Sequence, residues 1–251
     1  MNGLNKGTGG FLRAFTGFLK HRKPVYIIPL FFIVSAMVII SAVYFLFQAM
    51  TAFAGSGEDG EWTRITMDFD QESDIAFNGE TIVIDPGHGG RDPGAPSVSG
   101  KTEAEIVYSI AVKTAETLEA AGANVVFTRG EDEYASLDDR EAEGDLFISL
   151  HSDAMEDPSI TGFTTFYTYD HQRDFAETMN AALDEYSSFR NRGTQQSNFQ
   201  VIWQLDYPAT LIELGYLSNE IDDRLLSDEE YQALMARAIV EGIHDYLNGS
   251  A

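Results

Sequence analysis

The chain has 251 residues, with 16 Lys+Arg against 40 Asp+Glu, no Cys and a hydrophobic fraction of 44%. Apolar content of this kind, rich in Ile, Val, Leu and Phe, can bury a core and excludes wholesale disorder. The absence of cysteine excludes a disulfide framework and any thiolate zinc site, so metal chemistry here has to use His and carboxylates.

Residues 1–24 form a basic arm carrying Lys6, Arg13, Lys20, Arg22 and Lys23, and no acid occurs before residue 58. Eleven Lys and Arg then face all 40 acids in residues 58–251, a net of −29. So acidic a region has no electrostatic footprint for nucleic acid. Residues 25–47 are 23 positions of nearly unbroken Ile, Val, Leu, Phe, Met, Ala and Tyr, and about 20 such residues span a bilayer as a helix. With Arg22 and Lys23 at its start, the positive-inside rule predicts a single-pass anchor over 25–49, N-terminus in the cytoplasm and the acidic part outside. Ala52-Phe53-Ala54 offers the alternative of a cleaved signal peptide, but the apolar run exceeds the roughly 7–15 residues of a signal core. Residues 50–80, opening Gly-Ser-Gly-Glu-Asp-Gly after the apolar run, lack sustained periodicity and predict an acidic linker. A catalytic domain is expected over 81–251.

From Thr81 onward strand and helix patterns alternate. Strands are predicted over 81–85, 124–128, 145–150, 162–169, 199–203 and 209–213. A helix is expected over 103–121, with Val107, Ile110, Ala111, Thr114 and Leu118 on one face and Gly122 closing it. Phe175, Met179, Leu183 and Tyr186 mark a second. A last helix is predicted from Ser227, through a capping box to Glu230, to about Leu247. The expected fold class is α/β: a mostly parallel central sheet of about six strands flanked by helices, preceded by one transmembrane helix.

In such sheets ligands bind beyond the carboxyl ends of the strands. His88 follows the first strand in Asp85-Pro-Gly-His-Gly-Gly90, His151 follows the third in Ser149-Leu-His-Ser-Asp153, and Glu213 follows the last in Leu211-Ile-Glu-Leu-Gly215. Two imidazoles and a carboxylate make a three-ligand zinc set with an open fourth position, as in catalytic zinc sites. Glycines 87, 89 and 90 permit close backbone approach or positive φ. A further carboxylate is required, since one must bind metal and another act as base. Thr102-x-x-Glu105 matches a capping box, which commits Glu105 to its own helix start and leaves Glu103 free to point at the site as a ligand.

Four ordered blocks then carry a resemblance: Thr81 to Ala95 around His88, Glu103 with Ile110-Ala111, Phe147 to Ala154 around His151, and Pro208 to Asn219 around Glu213. Together they resemble the zinc-dependent N-acetylmuramoyl-L-alanine amidases (amidase type 3 catalytic domain), from Thr81 to about Leu247. The resemblance implies His88, Glu103 and His151 as zinc ligands, Glu213 as the catalytic glutamate, and peptidoglycan as substrate. The implied reaction is hydrolysis of the amide between N-acetylmuramic acid and L-alanine, with zinc activating water and polarising the carbonyl and Glu213 moving the proton. The sequence departs from the family at Val107, usually Asn, and is shorter between Arg140 and Asp145. No insertion long enough for an autoinhibitory helix lies between His151 and Gly162, and no wall-binding repeat is recognisable.

Other residues have plainer roles. His171 and His244 are expected to be structural, Phe199 and Trp203 to be core aromatics, and Gly87 to Gly90 lack the Lys and Ser/Thr of a phosphate loop. Glu213 could instead pair with Arg192. Two alternatives to the amidase stand: a catalytically silent amidase-like module that binds the wall or recruits a partner, and a zinc peptidase acting within the stem peptide. The acid excess suits either adaptation to high salt or avoidance of a polyanionic wall.

Overall fold

The computed structural model describes residues 75–249, which fall within one compact unit, Ser73–Ala251. None of the described helices is long and apolar enough to cross a membrane. The anchor expected over 25–49 and the arm before it lie outside the described residues.

β1 (Thr81–Pro86) is buried along all but its first residue, as a strand with both faces covered must be. α1 (Glu103–Ala120) returns over the sheet to β2 (Asn124–Phe127), and a 3-10 turn (Asp138–Arg140) leads into β3 (Leu146–Asp153). β4 (Phe163–Tyr167), α2 (Asp170–Tyr186) and β5 (Asn191–Gln196) follow; then come α3 (Gln200–Trp203), β6 (Ala209–Tyr216), α4 (Glu220–Leu226) and α5 (Glu229–Asn248). The strand order is β2-β1-β3-β6-β4-β5.

Alternation along the strands divides the core in two. Ile82, Ile84, Ile148, Leu150 and Ile212 face α1, α2 and α5, where Ile110, Phe175, Met179 and Ile239 are fully buried against them. Val83, Phe147 and Leu211 point the other way, onto Val201 and Ile202 of α3 and onto Leu205. Each such side chain contributes about 1.5–3 kcal/mol, so the three-helix face carries most of the stability. Packing also reaches back before Thr81, the expected start of the domain. Phe77 is buried in the larger cluster, and its N–H donates to Ala121 O at 2.8 Å.

The sheet is mostly parallel, as expected, but mixed: one of its five strand pairings is antiparallel. β2, β1, β3 and β6 run parallel, whereas β4 is antiparallel to β6 and β5 parallel to β4. The cause lies in residues 154–162, which contain no helix. A parallel connection needs a crossover to return the chain to the starting edge; without one, β4 begins where β3 ends and runs back.

Of residues 199–203, expected as a strand, Gln200–Trp203 form α3 instead, with Phe199 as its N-cap. Val201 and Ile202 are adjacent and both buried, which a turn of helix allows and period-2 alternation on one covered face does not. The sixth strand is the polar edge strand β5, Asn-Arg-Gly-Thr-Gln-Gln. The last helix starts later than predicted: Asp228 is its N-cap, accepting from Tyr231 N at 3.0 Å, and Ser227 closes α4. α4, absent from the sequence-based reading, carries two adjacent buried aspartates. Asp222 accepts from Gly162 N and Tyr216 N, both at 3.0 Å, and Asp223 accepts from Ser99 N at 2.7 Å.

Candidate metal centre

The site forms at the carboxyl edge of β1, β3 and β6. After Pro86 the chain must pass directly against the His151 ring, and Gly87 does so because a Cβ there would overlap the imidazole. His88 itself adopts φ 59°, the one positive φ of a non-glycine among the described residues. Gly94 closes the loop at φ +67°, where a Cβ would lie 2.6 Å from Glu103 Oε2 and 2.7 Å from His88 Cδ2. Only glycine combines that backbone with that proximity.

Thr102 caps α1 in a reciprocal box: Glu105 N donates to Thr102 Oγ1 at 3.3 Å and Thr102 N to Glu105 Oε2 at 2.7 Å. Glu105 is thereby committed, and Glu103, the first residue of the helix, turns inward and is buried. Its Oε2 lies 3.0 Å from His88 Nε2 and its Oε1 3.0 Å from His151 Nδ1. The same carboxylate accepts from Ala95 N and Ser152 N, both at 2.9 Å. His88 Nδ1 faces Asp92 Oδ2 at 3.0 Å, which directs Nε2 to the site. His151 was expected just past its strand and Glu213 at the end of its own; both lie inside them, because β3 and β6 run on to Asp153 and Tyr216. Glu213 Oε2 accepts from Asp153 N at 2.9 Å.

The charges respond to this crowding. Burial alone would raise the Glu103 pKa, but hydrogen bonds and charge from His151 and His88 prevail and hold it far below the usual carboxylate range. Burial would lower that of His88, yet Glu103 and Asp92 push it up to about 9. His151 is likewise raised against its burial, by Glu103, Glu213 and Asp85. Glu213 moves the other way. Burial lifts it to about 7, Glu103 and Asp153 add to the lift, and His151 opposes it.

One donor atom each from His88, Glu103 and His151 fall within 4.8 Å of one another. Tetrahedral zinc with bonds near 2.0 Å places neighbouring ligand atoms roughly 3.3 Å apart, close to the two 3.0 Å separations here. The donor set fits a borderline divalent cation, and Asp92 supplies the carboxylate–histidine support common to such sites. The remaining candidates lie elsewhere: His171 stacks on Tyr169, His244 lies edge-on to Phe77, and Arg192 covers the Tyr216 ring rather than pairing with Glu213. Phe199 packs on Phe166 in the smaller cluster, while Trp203 is 44% exposed. Val107 is wholly buried in the larger core. Asp92 escaped the sequence-based reading, although its position one turn after His88 in a glycine-rich loop was a usable signal.

Comparison with known proteins agrees with this geometry. Residues 82–245 match the family described as N-acetylmuramoyl-L-alanine amidase. The chain is 40% identical over 194 residues to the probable cell wall amidase LytH of Staphylococcus epidermidis, covering 75% of this chain and 66% of that protein's length. The fold superposes on an N-acetylmuramoyl-L-alanine amidase from Clostridium difficile 630 with a TM-score of 0.66 and 33% identity, over 70% of this chain and 100% of that one. It also superposes on the CwlD amidase of Clostridioides difficile, solved in complex with the GerS lipoprotein, with a TM-score of 0.63 and 29% identity, over 68% of this chain and 100% of that one. By the extent of the family match and the arrangement of its strands, the chain belongs to the N-acetylmuramoyl-L-alanine amidase family.

Proposed function

We propose that the chain hydrolyses the amide joining N-acetylmuramic acid to L-alanine of the peptidoglycan stem peptide. His88, Glu103 and His151 would hold one zinc ion, and Glu213 is the general base. The observation that carries this reading is the Glu103 carboxylate, each oxygen 3.0 Å from a different imidazole. Zinc bound there supplies a Lewis acid for the scissile carbonyl and activates water near neutral pH.

The protein's own groups do the rest. Ala95 N and Ser152 N fix Glu103, and Asp92 fixes the His88 ring. Asp153 N holds one oxygen of Glu213; the other makes no hydrogen bond among the described residues, leaving it to accept a proton from water and return it to the leaving nitrogen. Burial favours the protonated form of Glu213, which suits a carboxylate that has to take up a proton and give it back. Action outside the cytoplasmic membrane, with residues 25–49 as anchor, is part of the proposal; it draws support from the cell wall assignment of the LytH relative.

The test incubates the full chain with purified peptidoglycan, with and without a chelator, and follows newly exposed amino termini. Chelator-sensitive, zinc-restored release with L-alanine at the new termini is expected. New termini other than L-alanine would assign a peptidase within the stem. A zinc-loaded chain that releases nothing would assign a binding module.

A further inference from the structure

Two arginines of this acidic domain are buried, Arg129 and Arg140, and neither reaches a donor atom of the candidate metal centre. Arg129 follows β2, and all five of its N–H groups meet backbone carbonyls. Nε donates to Pro86 O at 2.8 Å, and Nη1 to Gly130 O and Glu131 O, each at 2.9 Å. Nη2 donates to Gly87 O at 2.9 Å and Ala104 O at 3.3 Å. Gly87 and Ala104 are the chain neighbours of His88 and Glu103, so one rigid planar group spans both segments that present those side chains.

Arg140 works on the same turn from the 3-10 segment. Its Nη2 donates to His88 O at 2.6 Å, and its Nη1 to Pro86 O at 2.9 Å and Asp85 Oδ1 at 2.8 Å. Asp85 is held in turn by Ser149 Oγ at 2.6 Å. Three successive carbonyls, 86 to 88, are therefore drawn onto two guanidinium groups. His88 sits at the end of that run in the left-handed region, an uncommon conformation for a residue with a side chain, and one that these contacts hold in place.

We propose that Arg129 and Arg140 are positioning residues for the metal centre: they lock the backbone of His88 and its spacing from Glu103, and so set the affinity for the metal. A lysine at either position keeps the charge but has three donors on a point ammonium, and cannot bridge segments as a planar five-donor fork does.

The proposal rests on His88, Glu103 and His151 holding a divalent metal, and the test separates the two ideas. Metal-free full chain is titrated with Co(II) as wild type, H88A, R129K and R140K, following the visible absorption of the bound ion and the circular dichroism of the protein. Wild type is expected to bind one Co(II) and H88A to lose it. The two lysine variants should keep the wild-type fold but bind roughly tenfold or more weakly, the scale for losing support behind a ligand, with an altered visible band. Lysine variants that melt earlier yet bind Co(II) with wild-type affinity and spectrum would make the arginines structural only and overturn the proposal. Equal binding by wild type and H88A would overturn the metal assignment itself, and the proposal with it. If one lysine variant does not fold, the other decides, since each grips the His88 turn through different atoms.

Discussion

His151 of β3 and Glu213 of β6 are register partners on adjacent parallel strands. Strands in a sheet lie about 4.8 Å apart and residues in register project to the same face, so the sheet itself sets the imidazole beside the carboxylate. Glu103 reaches the same imidazole from α1, leaving the two glutamates on different supports. Their substitutions should therefore separate.

Glu213→Gln is expected to retain one zinc per chain while peptidoglycan hydrolysis falls roughly 100-fold or more, the scale for removing a general base. Glu103→Gln and His151→Ala should lose the metal. Metal content after gel filtration, measured beside release of L-alanine termini, checks both halves.

In the metal-free protein Glu213 has its pKa pushed up to about 7, above the usual glutamate value of about 4.3. The raised value means that the folded state holds this proton more tightly than the unfolded one. Its stabilising effect is complete below about pH 4.3 and is lost as pH rises through about 7. Glu213→Gln removes that loss, so the chelated variant should be more stable than chelated wild type at pH 8.5 by roughly 3–4 kcal/mol and nearly equal to it at pH 4. Paired melts at the two pH values measure the difference.

His88 carries a proton on most metal-free molecules at neutral pH, its pKa being pushed up to about 9 against burial by Glu103 and Asp92. A metal must displace that proton. Apparent zinc affinity should therefore rise about tenfold per pH unit from neutrality toward pH 9, with proton release visible as a buffer-dependent enthalpy in calorimetry. An affinity independent of pH would show both imidazoles to be neutral before binding.

The net of −29 over residues 58–251 implies strong self-repulsion at low ionic strength. Raising NaCl from about 10 mM to about 1 M shortens the screening length from about 30 to about 3 Å. The melting temperature of the full chain should climb over that range, and a flat response would speak against adaptation to high salt.

Much of the candidate site was legible because its residues sit where short apolar strands give way to polar ones. His88, His151 and Glu213 each interrupt such a run, and the Thr102–Glu105 capping box separated Glu103 from Glu105 on chemistry alone. The polar strand β5 was not legible: Asn191–Gln196 has no apolar alternation and is extended because β4 offers it a free edge. α3 was misread because the aromatic and β-branched run 199–203 favours strands intrinsically, whereas the second face of the sheet needed a compact cover. The arginine clamp was invisible for a different reason. Its partners are backbone carbonyls, which carry no mark in a sequence.

The adjacent aspartates of α4 tie down two separate stretches of the chain. Asp222 holds the approach to β4 through Gly162 N, and Asp223 holds the loop ahead of α1 through Ser99 N. A helix of seven residues is thus a common fastener, and any fluctuation that unwinds it frees both stretches at once. The amides of Ser99, Gly162 and Tyr216 should then exchange with solvent as one cooperative unit, released together rather than one loop at a time.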